Sequence, residues 1–321
     1  MLYAALGAFT FALNNVTMRR GVVTGSVLQG MALTVPIGGL AFLAMTIALG
    51  ELHDLVRFPT VAVNWLACQG IVHFVIGRYC NYRSNQLMGV NLTAPVVQLQ
   101  VPFAMLLAVV LLREKFTVLQ AIGSALMLGG SFITQGNAGT RKPAAHPVFR
   151  PRVFPGTMFG LGAAMCYGSS PLMARQAFLN APGAATAAGG CLAYAAATIF
   201  FLLMLLRPGS SADIKSMKRG NLAWFLASGL LVAISQAFVY ASLAVAPLMV
   251  VTPILQLSLV FRLLLSQLIN REHEVMNAAV AIGAVIAVLG SILVSLDTEE
   301  LTAFLGSGSL ADFLNYRLAG H

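Results

Sequence analysis

The chain has 321 residues, of which 58% are hydrophobic and only 9% charged, with a formal net charge of +9 and a mean hydropathy of +0.84. An ordinary soluble domain carries roughly 25% charged residues, so a water-soluble globule is excluded. The basic excess lies in the connections rather than in a patterned basic face, so nucleic-acid binding is not implied.

The apolar residues fall in blocks of about 20, the length a helix needs to cross a hydrocarbon core of about 30 Å. Ten such blocks follow one another: 2–18, 28–50, 61–86, 90–112, 117–134, 155–174, 184–206, 221–244, 248–270 and 276–295. The first has no basic residue before its apolar run, which argues against a secretory signal. It carries Asn14 and Asn15, and the third carries "VHFVIGRYCNYRSNQ", with His73, Arg78 and Arg83.

The fourth block begins "APVVQLQ", placing Pro95 and Gln98 in a segment otherwise fit for lipid. Proline removes a backbone hydrogen bond from a helix interior, and an amide in hydrocarbon needs a partner. Pro95 is therefore expected to break the helix locally and free a carbonyl for a cavity or a neighbour. Gln98 is expected either to bind substrate or to tie helices together.

A segment rich in Pro, Gly and Arg, 135–154, divides the chain, and "YGSSPLMAR" follows in the sixth block with Ser169 and Ser170. The eighth block holds Gln236 and Tyr240. The ninth, "TPILQLSLVFRLLLSQLINRE", restates the fourth: Pro95, Gln98, Arg113 and Glu114 match Pro253, Gln256, Arg271 and Glu272, each 158 positions apart. The next helices also correspond, "AIGSALMLGGS" against "AIGAVIAVLGS". Gly123 with Gly130, and Gly283 with Gly290, are each seven apart on one helical face and read as close helix packing.

These matches organise the chain as a first repeat 1–134, the linker 135–154, a second repeat 155–296 and a polar tail 297–321. An odd number of spans per half inverts the second half in the membrane. The fold expected is thus an all-α polytopic membrane protein with ten transmembrane helices as two inverted five-helix repeats. The Pro-x-x-Gln-Leu to Arg-Glu helix, the "AIG" that follows and "YGSSPLMAR" together resemble the EamA-like branch of the drug/metabolite transporter superfamily. Arg113 and Arg271 stand where that family usually has Gly before the Glu, and Phe11-Ala12 where it usually has Trp-Gly.

The resemblance implies a secondary transporter of small organic metabolites, working by alternating access around a central cavity between the repeats. All ten acidic residues fall in loops, helix ends or the tail, which leaves no carboxylate within a span to hold a cation. Arg78 and Arg262 do lie inside spans, about 12 Å from the helix ends, where an arginine usually faces an aqueous cavity or snorkels to the interface. They favour an anionic, zwitterionic or neutral substrate over a cationic one. The alternative is pairing with backbone carbonyls and lipid phosphate.

The substrate-binding candidates are Gln98, Gln256, Arg78, Arg262, Asn14, Ser169 and Tyr240, with Pro95 and Pro253 as helix breaks. His73 is a candidate for proton coupling, although at five residues from Arg78 it is not expected on the same helical face; a cross-helix hydrogen bond is the plainer role. Catalytic residues, metal ligands and cofactors are not expected: there is no HExxH, no G-x-S-x-G and no in-span acid pair. The partners expected are the lipid bilayer, a small-molecule metabolite and a coupling proton or exchanged solute, with no oligomeric state indicated. The setting expected is multi-pass in a plasma membrane or bacterial inner membrane.

A scaffold or sensor without transport, or less readily a membrane-embedded enzyme, is the competing class. The four cysteines, Cys68, Cys80, Cys166 and Cys191, lack metal-ligand spacing and read as free buried thiols. Basic residues in the connections number eleven on the face opposite the N-terminus, counting Arg19 and Arg20, against five on the other. That count puts both termini outside the cytoplasm, whereas the resemblance puts them inside.

Overall fold

A computed structural model describes residues 2–112, 116–136, 150–206, 209–245, 254–255, 257–296 and 317–319. Its helices are α1 (Leu2–Thr24), α2 (Val27–Ala48), α3 (Thr60–Gly70), α4 (Arg78–Met88), α5 (Val90–Val97), α6 (Gln100–Leu112), α7 (Val118–Gly136), α8 (Val153–Leu179), α9 (Thr186–Leu205), α10 (Ser210–Lys215), α11 (Arg219–Val245), α12 (Ser258–Ile269) and α13 (Ala278–Ser295). A π-helical segment, Ile71–Gly77, joins α3 to α4 without a break. One short antiparallel pair, β1 (Phe116–Thr117) with β2 (Arg317–Ala319), fastens the tail beside the start of α7.

Among the described residues, five helical segments are long and apolar enough to cross a membrane: Val27–Ala48, Thr60–Met88, Val90–Leu111, Thr186–Leu205 and Arg219–Val239. Three shorter apolar helices accompany them: Val118–Thr134, Ser258–Ile269 and Ala278–Val294. The chain is an all-α polytopic membrane protein. Its outer surface agrees, since Leu40, Phe132, Phe154 and Leu268 are all largely exposed, which in water would be a liability and in lipid is the expected solvent contact.

Local chemistry sets the helix ends. Ser26 and Gln29 form a reciprocal capping box at the start of α2, and Asn277 accepts from the Val280 N–H to start α13. The fourth apolar block is two helices: after Pro95, α5 stops at Val97, and Gln98–Leu99 form a turn before α6 resumes. The break follows Pro95, whereas proline disturbs the turn that precedes it, so Pro95 sits inside a continuous α5.

Inside, α1 packs mainly against α11 and α12. Its face of Ala4, Gly7, Ala8 and Ala12 is buried, and small side chains there let α11 and α12 approach closely. The α7–α13 contact uses the four glycines singled out by spacing. A Cβ on Gly123 would stand 2.7 Å from the Gly290 carbonyl oxygen, and one on Gly283 2.6 Å from that of Gly130. The two backbones touch, so packing is what these glycines do.

Two expectations are corrected. Arg19 and Arg20 are not loop residues: α1 runs on to Thr24, and Arg19 is 1% exposed. The basic-residue count therefore included a buried charge, and without it the asymmetry keeps its sense. The cysteines are free, but Cys68 is exposed and the other three are half-buried, because they lie on helix surfaces rather than in the interior.

Candidate functional site

A cavity of about 340 Å³ lies among α1, the π segment and α4, α5, α8, α9, α11 and α12. Its polar lining includes Asn14, Asn15, His73, Arg78, Asn81, Tyr82, Gln98, Gln236 and Arg262, and no aspartate or glutamate is among the described lining residues. Two guanidinium groups thus meet in one membrane-embedded space without a carboxylate to neutralise them.

The two arginines are held differently. Arg78 donates from Nη1 to the Thr34 carbonyl at 2.8 Å and from Nη2 to the Tyr194 hydroxyl at 3.0 Å. Tyr82 donates in turn to Thr34 Oγ1 at 3.0 Å. The Arg78 guanidinium also lies 5.5 Å from the Phe74 ring centre and 5.8 Å from that of Tyr194, and those two rings stack with centroids 3.6 Å apart. Arg262 lies 5.0 Å from the Phe11 ring centre, and its Nε is buried with no hydrogen-bond partner among the described residues. Cation–π contact offsets part of the cost of burying such a group and leaves its hydrogen-bonding capacity open.

The sequence placed His73 off the Arg78 face, and the structure corrects this. In an α-helix five residues turn about 500°, leaving two side chains about 140° apart. The π segment bonds i to i+5, and the Arg78 N–H donates to the His73 carbonyl, so one residue stacks nearly above the other. Both therefore line the cavity. His73 Nδ1 has no partner among the described residues, and its ring sits against Phe74 and Tyr167 at 4.7 and 4.6 Å.

Gln98 lines the cavity at the turn between α5 and α6. Asn14 does too, with its Oδ1 accepting from Ser228 at 2.6 Å. Ser169 is not brought to the cavity, and its hydroxyl returns to the Cys166 carbonyl at 3.1 Å. Pro95 is buried within α5. Gln256 and Pro253 lie outside the described residues, and of Tyr240 only the backbone, in α11, is described. The sequence reading missed Thr34, Phe74, Tyr167 and Tyr194. The one available signal was a tyrosine hydroxyl in the Ala-rich helix α9, which had to find a partner.

Residues 1–135 match the EamA-like transporter family. This family is part of the drug/metabolite transporter superfamily. The fold as a whole is shared with a crystal structure whose description names no function, at a TM-score of 0.60 and 20% identity, covering 95% of this chain and 99% of that one. No curated protein sequence matches the chain. The EamA-like stretch supplies most of the polar cavity wall, from Asn14 to Gln98, and Arg262 reaches in from beyond it.

The EamA-like stretch is also tied to the second half by a buried ion pair. Arg19 donates from Nε to Glu274 Oε1 at 3.1 Å, and its remaining donors reach the carbonyls of Asn85, Gln86 and His273. Glu274 accepts the backbone N–H groups of Val90 and Asn91, capping the N-terminus of α5. Gly89 makes room for it: its φ is 87°, and a Cβ there would lie 2.5 Å from Glu274 Oε2. His273, in the same loop, is pushed below the ordinary imidazole range by burial and by Arg19 and Arg20. Eight residues of α1 separate Phe11 in the cavity wall from Arg19, so this pair sits about 12 Å beyond the site.

Proposed function

We propose that the protein is a secondary transporter that carries a small anionic, zwitterionic or neutral metabolite by alternating access. On this reading ten helices form two inverted repeats, with the cavity between them as the substrate site. The supporting observation is the pair Arg78 and Arg262 in a cavity whose described lining holds no acid. A cationic substrate would meet uncompensated like charge there, whereas a carboxylate or phosphate would gain charge-assisted hydrogen bonds. His73 is the group placed to couple a proton, Gln98, Gln256, Asn14 and Tyr240 are further substrate contacts, and the setting is a plasma membrane or bacterial inner membrane.

Reconstitution into sealed vesicles tests this. Labelled acidic and zwitterionic metabolites are expected to enter faster than amines of equal size, with the preference lost in the Arg78→Ala/Arg262→Ala double variant. Amine flux that survives both substitutions would reject the substrate class, and absence of flux for every class would favour a scaffold or sensor.

A further inference from the structure

The cavity has a direction as well as a charge. Gly7 and Ala8 of α1, Val97 of α5, Val239 of α11 and Leu255, just before α12, form an apolar wall. They converge, since a Cβ on Gly7 would touch Val239 at 3.4 Å and Leu255 at 3.5 Å. Gly7 lies four residues from Phe11, about 6 Å along the helix, and Phe11 is the ring on which Arg262 rests. A guanidinium that rests on a ring, with its Nε unbonded among the described residues, therefore stands roughly one turn from an apolar wall.

Arg78 and Arg262 also differ in what they leave free. Arg78 is clamped by Thr34, Tyr194 and the Phe74 ring, which fixes its plane and position. Arg262 is 8% exposed, lines the cavity and keeps Nε unbonded among the described residues. A guanidinium takes a carboxylate in two parallel bonds, and a buried one gains charge-assisted hydrogen bonds when an anion arrives.

We propose that Arg262 anchors the single carboxylate of an organic monoanion whose aliphatic or aromatic tail lies on the Gly7–Val239–Leu255 wall. Arg78 is a positioning residue that holds α2, α4 and α9 around it. This rests on the cavity being the transport site. The volume of about 340 Å³ is at the small end of ligand pockets, roughly 300–1,000 Å³, and suits a body of one ring or a short branched chain.

The test is binding of 3-phenylpropionate, 3-phenylpropionamide, 3-phenylpropylamine and succinate to the purified full chain in detergent, by titration calorimetry. The propionate is expected to bind at least about tenfold tighter than its amide, with the amine silent and succinate, which lacks the tail, weaker than the propionate. Arg262→Gln should erase the acid-over-amide ratio by weakening the acid far more than the amide, whereas Arg78→Lys should weaken acid and amide alike.

Equal binding of acid and amide to the wild type, survival of the ratio in Arg262→Gln, or no binding by any probe overturns the proposal. Should Arg262→Gln fail to fold, the wild-type ratio decides together with Arg262→Lys, which keeps the charge, loses the fork and should retain only part of the preference. Vesicle flux without acid preference sinks the anchor and keeps the transporter; acid-selective binding without flux does the reverse.

Discussion

Replacing Glu274 with alanine should destabilise the folded protein by about 3–5 kcal/mol, because it removes the carboxylate paired with the buried Arg19 guanidinium. Both partners are 1% exposed, so water does not screen the loss. The substitution also removes the acceptor for the Val90 and Asn91 N–H groups, opening the cap of α5 in the same stroke. Arg19→Ala should cost a similar amount by stranding the carboxylate. The double variant Arg19→Met/Glu274→Leu should then lose clearly less than the two single losses added together, since neither charge is left behind. Equilibrium unfolding in mixed detergent micelles reads all of these. A Glu274→Ala protein as stable as wild type would show that the pair contributes nothing to the fold.

A single methyl group on Gly130 should cost about 1–3 kcal/mol, while the same methyl one residue earlier should cost nothing measurable. Gly130 and Gly283 meet backbone to backbone between α7 and α13, and a Cβ at either would collide with the other's carbonyl oxygen. Neither helix can yield at that point without opening the second contact at Gly123 and Gly290. Gly129 has nothing within 4 Å of the place its Cβ would take. Gly129→Ala should therefore match the wild type or gain a few tenths of a kcal/mol, from the better helix propensity of alanine. Thermal midpoints of the two variants, taken side by side, check the contrast, and equal losses would mean that the close approach is not what these glycines provide.

The membrane class, the glycine contact and the polar wall could be read from the sequence because each departs from its local background. An arginine or a glutamine in an apolar block is conspicuous, and so is a seven-residue glycine spacing repeated in two helices. What the sequence did not yield was pairing. Thr34 and Tyr194 are separated from Arg78 by 44 and 116 positions and Glu274 from Arg19 by 255, distances over which no local pattern carries information. Glu274 looked like one more loop carboxylate beside Glu272, and only the folded chain distinguishes the buried one from its neighbour. His73 differs for another reason: at 3.6 residues per turn it would leave the Arg78 face, but Ile71–Gly77 winds more widely.

The capping of α5 by Glu274 bears on the order in which the protein is made. Val90 emerges from the ribosome 184 residues before the carboxylate that satisfies its N–H, and Arg19 waits longer still for its counter-charge. At about 5–20 residues per second, the interval for Val90 is roughly 10–40 s of synthesis. During it the first half is already long enough to enter a bilayer, yet it carries an unneutralised guanidinium and an uncapped helix. The early helices must then be held by lipid headgroups or the insertion machinery until the loop before α13 arrives. Completion of the first half thus depends on translation of nearly all of the second.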